Sequence, residues 1–438
     1  MENPAADNPP TVPRPASRGF IVLSLLAVIL VGLNLRAGIT SASPLFLDLQ
    51  EFLGYGPFVT ALLPSIPTLV FAVAGMATAW LARRLGLSGT ILLALGVLAA
   101  GLAFRALPTT WALLAGTVAA MCGIALCNVA MPSFIRENFA DKTPMMTGLY
   151  TITMSVGATA ASALSVPLAL AAGSPTLGLA TWSFLAVAAV LAFLPFMVMA
   201  RSDRAATTSP SGVSPLSLIR TRRGMVITGL FTVQALMAYA MMSWLPSILI
   251  SRSMSPADAG ILLGALQAMT IPATMLSLWL VNKHGKLRGA FIMCSVMVAA
   301  GLAGLVWLPL SLAWLCAVAM GIGFSVFPLV LLVISHSGDT SEETTAMSTL
   351  AQSVGYLVAT SGPFGMGLLY ALSGDWTLPL LLLILVAGIQ LWLGVVASGY
   401  RRGTPAARAV GSPADGAGLR LGGELVFDIL RRGQDRLR

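Results

Sequence analysis

Twelve long apolar stretches fill the chain between Phe20 and Ser398, and each is long enough to cross a lipid bilayer. A helix of about 20 apolar residues spans a hydrocarbon core of about 30 Å. Inside lipid the backbone must satisfy its own hydrogen bonds, which a helix does within one segment. The stretches lack the alternation of every second residue that marks a membrane β-barrel. The pattern predicts an all-α membrane protein with twelve transmembrane helices.

The composition of the chain excludes an ordinary soluble domain. The 438 residues are 57% hydrophobic and 9% charged, with a mean hydropathy of +0.88, whereas soluble domains are about a quarter charged. The net charge of +9 does not indicate nucleic acid, because the basic residues lie in short connections between the apolar stretches and in the tail. We expect the lipid bilayer and a small molecule as partners, and no nucleic acid.

No metal or catalytic cluster is apparent in the sequence. The two histidines, His284 and His336, are far apart, and the apolar spans hold no Asp or Glu for an acid–base pair. The four cysteines lie inside apolar stretches without CxxC spacing, as small core residues do: Cys122, Cys127, Cys294 and Cys316. We therefore expect no cofactor and no metal, and we expect that the protein is not an enzyme.

Basic residues orient the predicted spans, which are 20–42, 57–81, 88–106, 110–134, 144–170, 178–200, 224–250, 258–280, 288–308, 311–334, 345–370 and 376–398. If the N-terminus is inside, the outer connections carry only Arg105 and Arg252. The inner connections carry Arg83, Arg84, Arg136, Lys142, Arg201, Arg204, Arg220, Arg222, Arg223, Lys283, Lys286 and Arg288. This imbalance predicts both termini in the cytoplasm, with the chain in a bacterial inner membrane.

The longest internal connection divides the spans six and six. Residues 201–223 are rich in Ser, Thr, Pro and Arg, which is typical of a linker. The predicted order is an N-terminal cytoplasmic tail at 1–19, a six-helix bundle at 20–200, the linker at 201–223, a second six-helix bundle at 224–398 and a basic cytoplasmic tail at 399–438.

Three short motifs recur in the two bundles at nearly the same offset. Trp80-Leu81 and Gly86 return as Trp279-Leu280 and Gly285, 199 residues later. Two more motifs return 198 residues later, Gly123-Ile124 as Gly321-Ile322 and Ser155-Val156-Gly157 as Ser353-Val354-Gly355. A duplicated six-helix half leaves such traces, and two pseudo-symmetric halves are a known transporter architecture.

Arg36 is the single full positive charge in the interior of the predicted spans, away from their ends. It lies sixteen residues after Phe20, about 24 Å along a helix, between the middle and the outer part of the bilayer. A charge at the bilayer centre costs about 2.5 to 3.5 kcal/mol, so the side chain either reaches the interface or helix carbonyls, or faces a wet cavity. All sixteen Asp and Glu lie in tails, loops or span ends. In a cavity, the planar guanidinium would therefore bind a small anion.

Uncharged polar side chains within the spans complete the candidate site. Amides and hydroxyls gain nothing from lipid, so these side chains face the bundle interior, where they bind substrate or link helices. The predicted substrate-binding residues are Arg36, Asn34, Asn128, Tyr150, Gln234, Tyr239, Gln267, Gln352 and Tyr356. Trp244 and Pro246 instead predict the interface anchor and the end of the seventh span.

Four segments resemble a known family. They are Asn34-Leu35-Arg36-Ala37-Gly38-Ile39-Thr40, Met146-Thr147-Gly148-Leu149-Tyr150-Thr151, Trp244-Leu245-Pro246 and Gln352-Ser353-Val354-Gly355-Tyr356. Together they resemble the cyanate and 2-nitroimidazole transporter group (CynX/NimT) of the major facilitator superfamily, over essentially all twelve spans. The resemblance implies the major facilitator fold, with two pseudo-symmetric six-helix bundles.

Two positions bear on how such a transporter is driven. The superfamily's loop after the second span carries an acidic residue that is missing here, where Gly75 is followed by Trp80, Arg83, Arg84 and Gly86. His336 stands at the inner end of the tenth span, where the resemblance leads us to expect a basic residue. Proton coupling could run through His336 or a loop acid such as Asp48, or be absent.

The sequence thus predicts a secondary active or facilitative transporter that works by alternating access as a monomer. Arg36 and the resemblance favour a small anion as substrate, cyanate-like or a small carboxylate. The alternative is an exporter of nitroimidazole-type or other small drugs, for which Arg36 would bind a nitro group or act structurally.

Overall fold

The computed structural model describes residues 18–139, 142–199, 215–338 and 340–400. Within these ranges the chain is helical and contains no strand. Nearly all of the predicted N-terminal tail, most of the predicted linker and nearly all of the predicted C-terminal tail lie outside the described residues.

The first half of the chain forms eight helices. They are α1 (Arg18–Thr40), α2 (Phe46–Leu53), α3 (Pro57–Leu62), α4 (Ile66–Phe104), α5 (Thr110–Asn138), α6 (Thr143–Ala172), α7 (Pro175–Ala180) and α8 (Trp182–Met199). Short 3₁₀ turns at Ser43–Leu45 and Leu63–Ser65 connect α1 to α2 and α3 to α4. The long α4 contains most of the second and third predicted spans, and Gly86, with φ of 74° and ψ of 169°, breaks the helix between them. Only glycine adopts that conformation at low cost.

The second half forms nine helices within its described residues. They are α9 (Pro215–Leu218), α10 (Arg222–Ser251), α11 (Pro256–His284), α12 (Leu287–Trp307), α13 (Ala313–Phe324), α14 (Val326–Ser335), α15 (Ser341–Ala359), α16 (Ser361–Ser373) and α17 (Thr377–Ala397). The helix α10 runs through Pro246 to Ser251, so the prediction that this proline ends the seventh span was wrong.

Eleven helical segments among the described residues are long and apolar enough to cross a membrane. The eleventh predicted span, 345–370, is the one missing from this set; it corresponds to α15 and α16, which are separated at Thr360 and hold 19 and 13 residues. Because α15 is rich in hydroxyl and amide side chains and α16 is short, neither helix alone has the length and composition of a span. The all-α membrane fold predicted from the sequence is confirmed.

The two halves repeat the same packing at the duplicated motifs. A methyl group added at Gly157 of α6 would overlap Leu33 O of α1, and one added at Gly355 of α15 would lie 2.6 Å from the Phe231 ring of α10. In each half, therefore, the first and fifth spans meet at a glycine. The Arg84 guanidinium lies 4.3 Å from the ring centre of Trp80, and the Lys283 ammonium lies 5.5 Å from that of Trp279. Each of these pairs is one helical turn apart.

The ends of the spans form two faces. We call the face where α8 ends and α10 begins the linker face, and the other the opposite face. The halves touch on the opposite face, where α6 packs against α11 and α3 packs against α16. Gly260 and Gly264 of α11 let its backbone approach α6, and Thr159 Oγ1 donates to Gly264 O at 3.2 Å. Small residues one turn apart allow such close approach between membrane helices.

Candidate functional site

A cavity lies between the two halves near the middle of their helices. Its volume, measured as the space open to the centre of a water-sized sphere, is about 110 Å³. By the same measure a single water needs roughly 10–15 Å³. From Arg36 it extends toward the linker face, where it is lined by Thr151, Thr274 and Pro328, among others. Between the cavity and the opposite face, the two halves are in contact.

Arg36 projects from α1 into this cavity. Its side chain is half-buried, and its Nη1 donates to the sulfur of Met242 at 3.7 Å. That bond crosses between the halves, and thioether sulfur is a weak acceptor. Among the residues that the structure describes, no carboxylate pairs with Arg36. The cavity therefore contains a guanidinium that the described protein residues leave without a counter-ion.

Two amide side chains line the cavity with an unpaired polar atom each. Gln234 of α10 and Gln267 of α11 are both 5% exposed. Gln234 Oε1 and Gln267 Nε2 have no hydrogen-bond partner among the described residues. Since the oxygen and nitrogen of an amide are assigned and not observed, each side chain can offer either group. A buried polar atom without a partner costs free energy, which a bound ligand or water would recover.

Aromatic rings form one wall of the cavity. Tyr239 and Tyr356 line it with ring centres 6.0 Å apart in an edge-to-face arrangement. Phe71 of α4 lies against both, at 6.2 Å and 5.7 Å between ring centres, so the wall joins the two halves. The charge of Arg36 interacts electrostatically with the hydroxyls of Tyr239 and Tyr356. The wall combines flat apolar faces with two hydroxyl groups close to a cation.

Five of the nine predicted binding residues line this cavity: Arg36, Gln234, Tyr239, Gln267 and Tyr356. The other four lie outside its lining. Asn34 is 1% exposed and donates to Leu30 O at 2.8 Å and Leu185 O at 3.0 Å, so it joins α1 to α8. Such bonding between helices is the other role open to a buried amide in a membrane.

Asn128, Tyr150 and Gln352 each make a side-chain hydrogen bond within the protein. The hydroxyl of Tyr150 donates to Asn128 Oδ1 at 3.5 Å, which connects α5 to α6. Gln352 Nε2 donates to Ser348 Oγ at 2.8 Å, one turn earlier in α15. Tyr150 does not line the cavity.

His336 lies away from the cavity. It follows the last residue of α14 and is exposed, with Nδ1 at 2.8 Å from Leu332 O. Its backbone oxygen accepts a hydrogen bond from Arg223 Nη2 at 2.8 Å. Both contacts belong to the linker face, so the ring is not placed where it would meet a ligand in the cavity.

Several cavity residues were not predicted from the sequence. The hydroxyls of Thr151, Ser155, Thr270 and Thr274, together with Met242, line the cavity beside the predicted residues. Hydroxyls are common in membrane helices, where they bond to the preceding turn, so composition alone did not distinguish them. The signal available was helical spacing, because Thr151 and Ser155 share a face of α6, as do Thr270 and Thr274 of α11.

Trp244 is not the interface anchor that the sequence predicted. It is 2% exposed, and its Nε1 donates to Pro363 O at 2.8 Å. Its ring lies 5.9 Å from that of Phe46 in the other half and 5.3 Å from that of Trp376. An indole donor inside protein needs a partner, and the backbone carbonyl of the buried Pro363 supplies it. Trp244 packs in the closed contact between the halves.

Arg105 is a second buried cation that the sequence placed in an outer loop. It is 1% exposed, and its Nη1 donates to Gly38 O of α1 at 3.3 Å. The residue follows the span that ends at Phe104, and burial lowers the pKa of Arg105 to about 10, so it stays charged at neutral pH. Arg252, the other arginine predicted outside, caps α12 through Leu305 O and Leu308 O.

Helical spans arranged in two similar halves around a polar cavity define a multi-pass membrane transporter of a small molecule. The chain belongs to the Major Facilitator Superfamily, whose family model matches residues 25–363.

Known proteins agree with this assignment. The chain is 31% identical to the 2-nitroimidazole transporter of Escherichia coli K12 over 379 residues, which are 86% of this chain and 95% of the relative. It is 28% identical to the cyanate transport protein CynX of the same organism, over 80% of this chain and 91% of the relative. A crystal structure of a bacterial homologue of the human lysosomal transporter Spinster matches with a TM-score of 0.71 at 16% identity, covering 89% of this chain and 100% of that one. The predicted family is confirmed, and its members are transporters, not enzymes.

Proposed function

We propose that the protein carries a small monovalent anion across the membrane, with Arg36 as the anion ligand. The observation that carries the proposal is a half-buried guanidinium, facing a cavity between the halves, with no carboxylate partner among the described residues. An unpaired cation at membrane depth is costly, and an anion offsets that cost. The planar fork of arginine binds two oxygen atoms of a carboxylate in parallel.

The rest of the cavity suits a small ligand of this kind. Gln234 and Gln267 each present an unpaired amide atom, and Tyr239 and Tyr356 contribute hydroxyls. An amide nitrogen or a hydroxyl can donate to an anion that Arg36 holds. Because Arg36 belongs to the first half and these four residues to the second, the bound anion would connect the two halves. The similarity to a cyanate transport protein supports the same substrate class.

The proposed mechanism is alternating access. In the present conformation the cavity extends toward the linker face, while glycine and aromatic contacts hold the halves together on the opposite face. Rocking of a bundle at 20–200 against one at 224–398, with 201–223 as the linker, would expose Arg36 to the other side. The distribution of basic residues supports cytoplasmic termini and a bacterial inner membrane. We propose that the monomer is the working unit.

Transport of nitroimidazole-type or other small drugs is the second candidate. The aromatic wall favours it, because Tyr239 and Tyr356, with Phe324 and Phe327, offer flat faces to a heterocyclic ring. A nitro group carries two oxygen atoms in one plane and fits the same fork of Arg36. The relative at 31% identity is a 2-nitroimidazole transporter. Both candidates place Arg36 in contact with the substrate.

Proton coupling has weaker support. The exposed position of His336 does not favour a direct role in the cavity, which leaves a loop acid such as Asp48, or transport without protons. Uptake into proteoliposomes with and without a pH gradient distinguishes these cases.

Uptake of radiolabelled cyanate, benzoate and 2-nitroimidazole into proteoliposomes tests the proposal. We expect Arg36→Gln to weaken anion uptake by roughly 10- to 100-fold, since hydrogen bonds to a charged group contribute about 1.5–3 kcal/mol. Arg36→Lys keeps the charge but loses the fork, so its anion uptake should lie between that of the wild type and that of Arg36→Gln. The matched control is Arg288→Gln, which removes an exposed arginine of α12.

The two candidates predict different outcomes in this assay. Loss of anion uptake in Arg36→Gln with 2-nitroimidazole transport intact supports the anion transporter. A wild-type protein that carries 2-nitroimidazole and none of the anions supports the drug transporter. If folded Arg36→Gln carries anions like the wild type, Arg36 is not the anion ligand.

A further inference from the structure

The environment of Arg105 is unusual for a charged side chain. Its stem passes close beside Gly116 of α5, where an added methyl group would lie 3.1 Å from Arg105 Cγ. Of its five donors, Nη1 reaches Gly38 O at 3.3 Å, and Nε is buried without any partner. No carboxylate among the described residues pairs with it. One long bond to a neutral carbonyl compensates poorly for burying a full charge.

Arg105 lines a small second cavity on the opposite face. This cavity offers about 20 Å³ to the centres of water-sized molecules, enough for one or two atoms of that size. Its polar lining comprises Arg105, Thr117 and Ser243, and the remainder is apolar, including Phe46, Leu63 and Pro67. The Thr117 hydroxyl already donates to Leu113 O at 2.6 Å, whereas the Ser243 hydroxyl makes only a long contact of 3.5 Å with Pro64 O. Ser243 is therefore free to rotate toward a ligand.

We propose that this cavity is a second anion site, distinct from the one at Arg36, which takes a small, weakly hydrated monatomic anion such as bromide. The Arg105 guanidinium supplies the charge and the Ser243 hydroxyl supplies a further donor. The apolar walls disfavour strongly hydrated anions such as sulfate, which would lose more water than two donors replace. A guanidinium is itself weakly hydrated, so it pairs well with such an ion.

The site spans the contact between the halves. Arg105, Phe46 and Pro64 belong to the first half, while Ser243 belongs to α10 of the second. Movement of the halves apart on the opposite face would separate Ser243 from Arg105. A bound anion therefore stabilises the conformation in which the opposite face is closed. This inference does not depend on which substrate Arg36 binds.

Unfolding of the detergent-purified protein tests the site. Circular dichroism at 222 nm follows unfolding while bromide replaces gluconate at constant ionic strength. The Arg36→Gln background removes the central guanidinium, so any saturable bromide effect comes from elsewhere. We expect a saturable rise in unfolding temperature in this background. Adding Arg105→Gln should weaken the apparent bromide affinity roughly tenfold or more, and adding Ser243→Ala should weaken it less.

A direct measurement complements the unfolding assay. Crystals of the Arg36→Gln protein grown in bromide should show an anomalous peak beside Arg105 and Ser243. Bromide affinity unchanged by Arg105→Gln, or no peak beside Arg105 at saturating bromide, would overturn the proposal. If Arg105→Gln does not fold, Ser243→Ala and the anomalous map decide between the same outcomes.

Discussion

Substitution of Gly260 by alanine should open the opposite face of the protein. A methyl group at this position would overlap the carbonyl oxygen of Ser162, which belongs to the other half, while its contacts with Pro44 at 3.5 Å are ordinary. Because the obstacle is backbone, it cannot rotate away. The helices α6 and α11 must separate by roughly 0.5 Å or more in the closed conformation. In a conformation in which these helices have moved apart, the overlap does not exist.

The size of the effect follows from two terms. Overpacking of this kind costs about 1–3 kcal/mol, and only in the closed conformation. Alanine is also more favourable than glycine inside a helix by about 1 kcal/mol. Because α11 is helical in both conformations, this gain cancels. At about 1.4 kcal/mol per factor of ten, the open fraction should rise roughly 5- to 150-fold. The rise is measurable provided that the open form is the minor one in the parent protein, which the alkylation rate of the parent itself reports.

Alkylation of a cysteine at Ala61 reports the open fraction. Ala61 is 2% exposed and faces Gly367 across the contact between the halves. A methyl group added at Gly367 would lie 3.1 Å from Ala61 Cβ. Ala61→Cys therefore reacts with a bulky hydrophilic maleimide only when that face opens, and its rate follows the open population. The native Cys122 is half-buried, so it is replaced by alanine to prevent its reaction with the maleimide. The other three native cysteines are buried and are kept.

The matched control is Gly388→Ala in α17, where an added methyl group meets nothing within 4 Å. This variant should react at the rate of the parent protein. If folded Gly260→Ala also reacts at the parent rate, then the glycine contact does not hold the opposite face closed, and the reasoning from close helix approach is wrong.

Two further predictions concern residues that the structure places outside the cavity. Asn34→Ala removes bonds to the carbonyls of Leu30 and Leu185, so it should destabilise the protein by about 1–3 kcal/mol with the substrate KM unchanged, which unfolding and uptake measurements check together. A raised KM in folded protein would return Asn34 to the binding site. His336→Gln should leave the pH dependence of uptake unchanged, because the ring is exposed at the end of α14. A flattened pH profile would assign it the coupling role instead.

The number and type of the helices could be read from the sequence because the bilayer imposes a local rule. Each predicted span corresponds to helical structure, and the break between the second and third spans falls at Gly86, between the predicted boundaries. The duplicated motifs also had a structural meaning. Both Gly86 and Gly285 have positive φ, at 74° and 66°, and each follows a tryptophan paired with a basic residue one turn later.

The candidate site could be predicted in part. Arg36, Gln234 and Gln267 were identified because exposing a polar side chain to lipid costs free energy. This cost requires only that the side chain face the interior of the protein. It does not say whether the group meets a ligand or another helix. Asn34 and Gln234 look alike in sequence, yet Asn34 has both donors used by carbonyls and Gln234 keeps an unpaired oxygen.

The environments of Arg105 and Trp244 could not be predicted from the sequence. Both lie near the ends of apolar segments, where a charged or amphipathic side chain normally reaches the interface, and both are buried at the contact between the halves. Hydrophobicity along a chain determines which segments cross the bilayer, because that free energy is summed residue by residue. The direction of each side chain and the identity of its neighbours depend on how twelve helices pack, and that packing joins residues from distant parts of the chain.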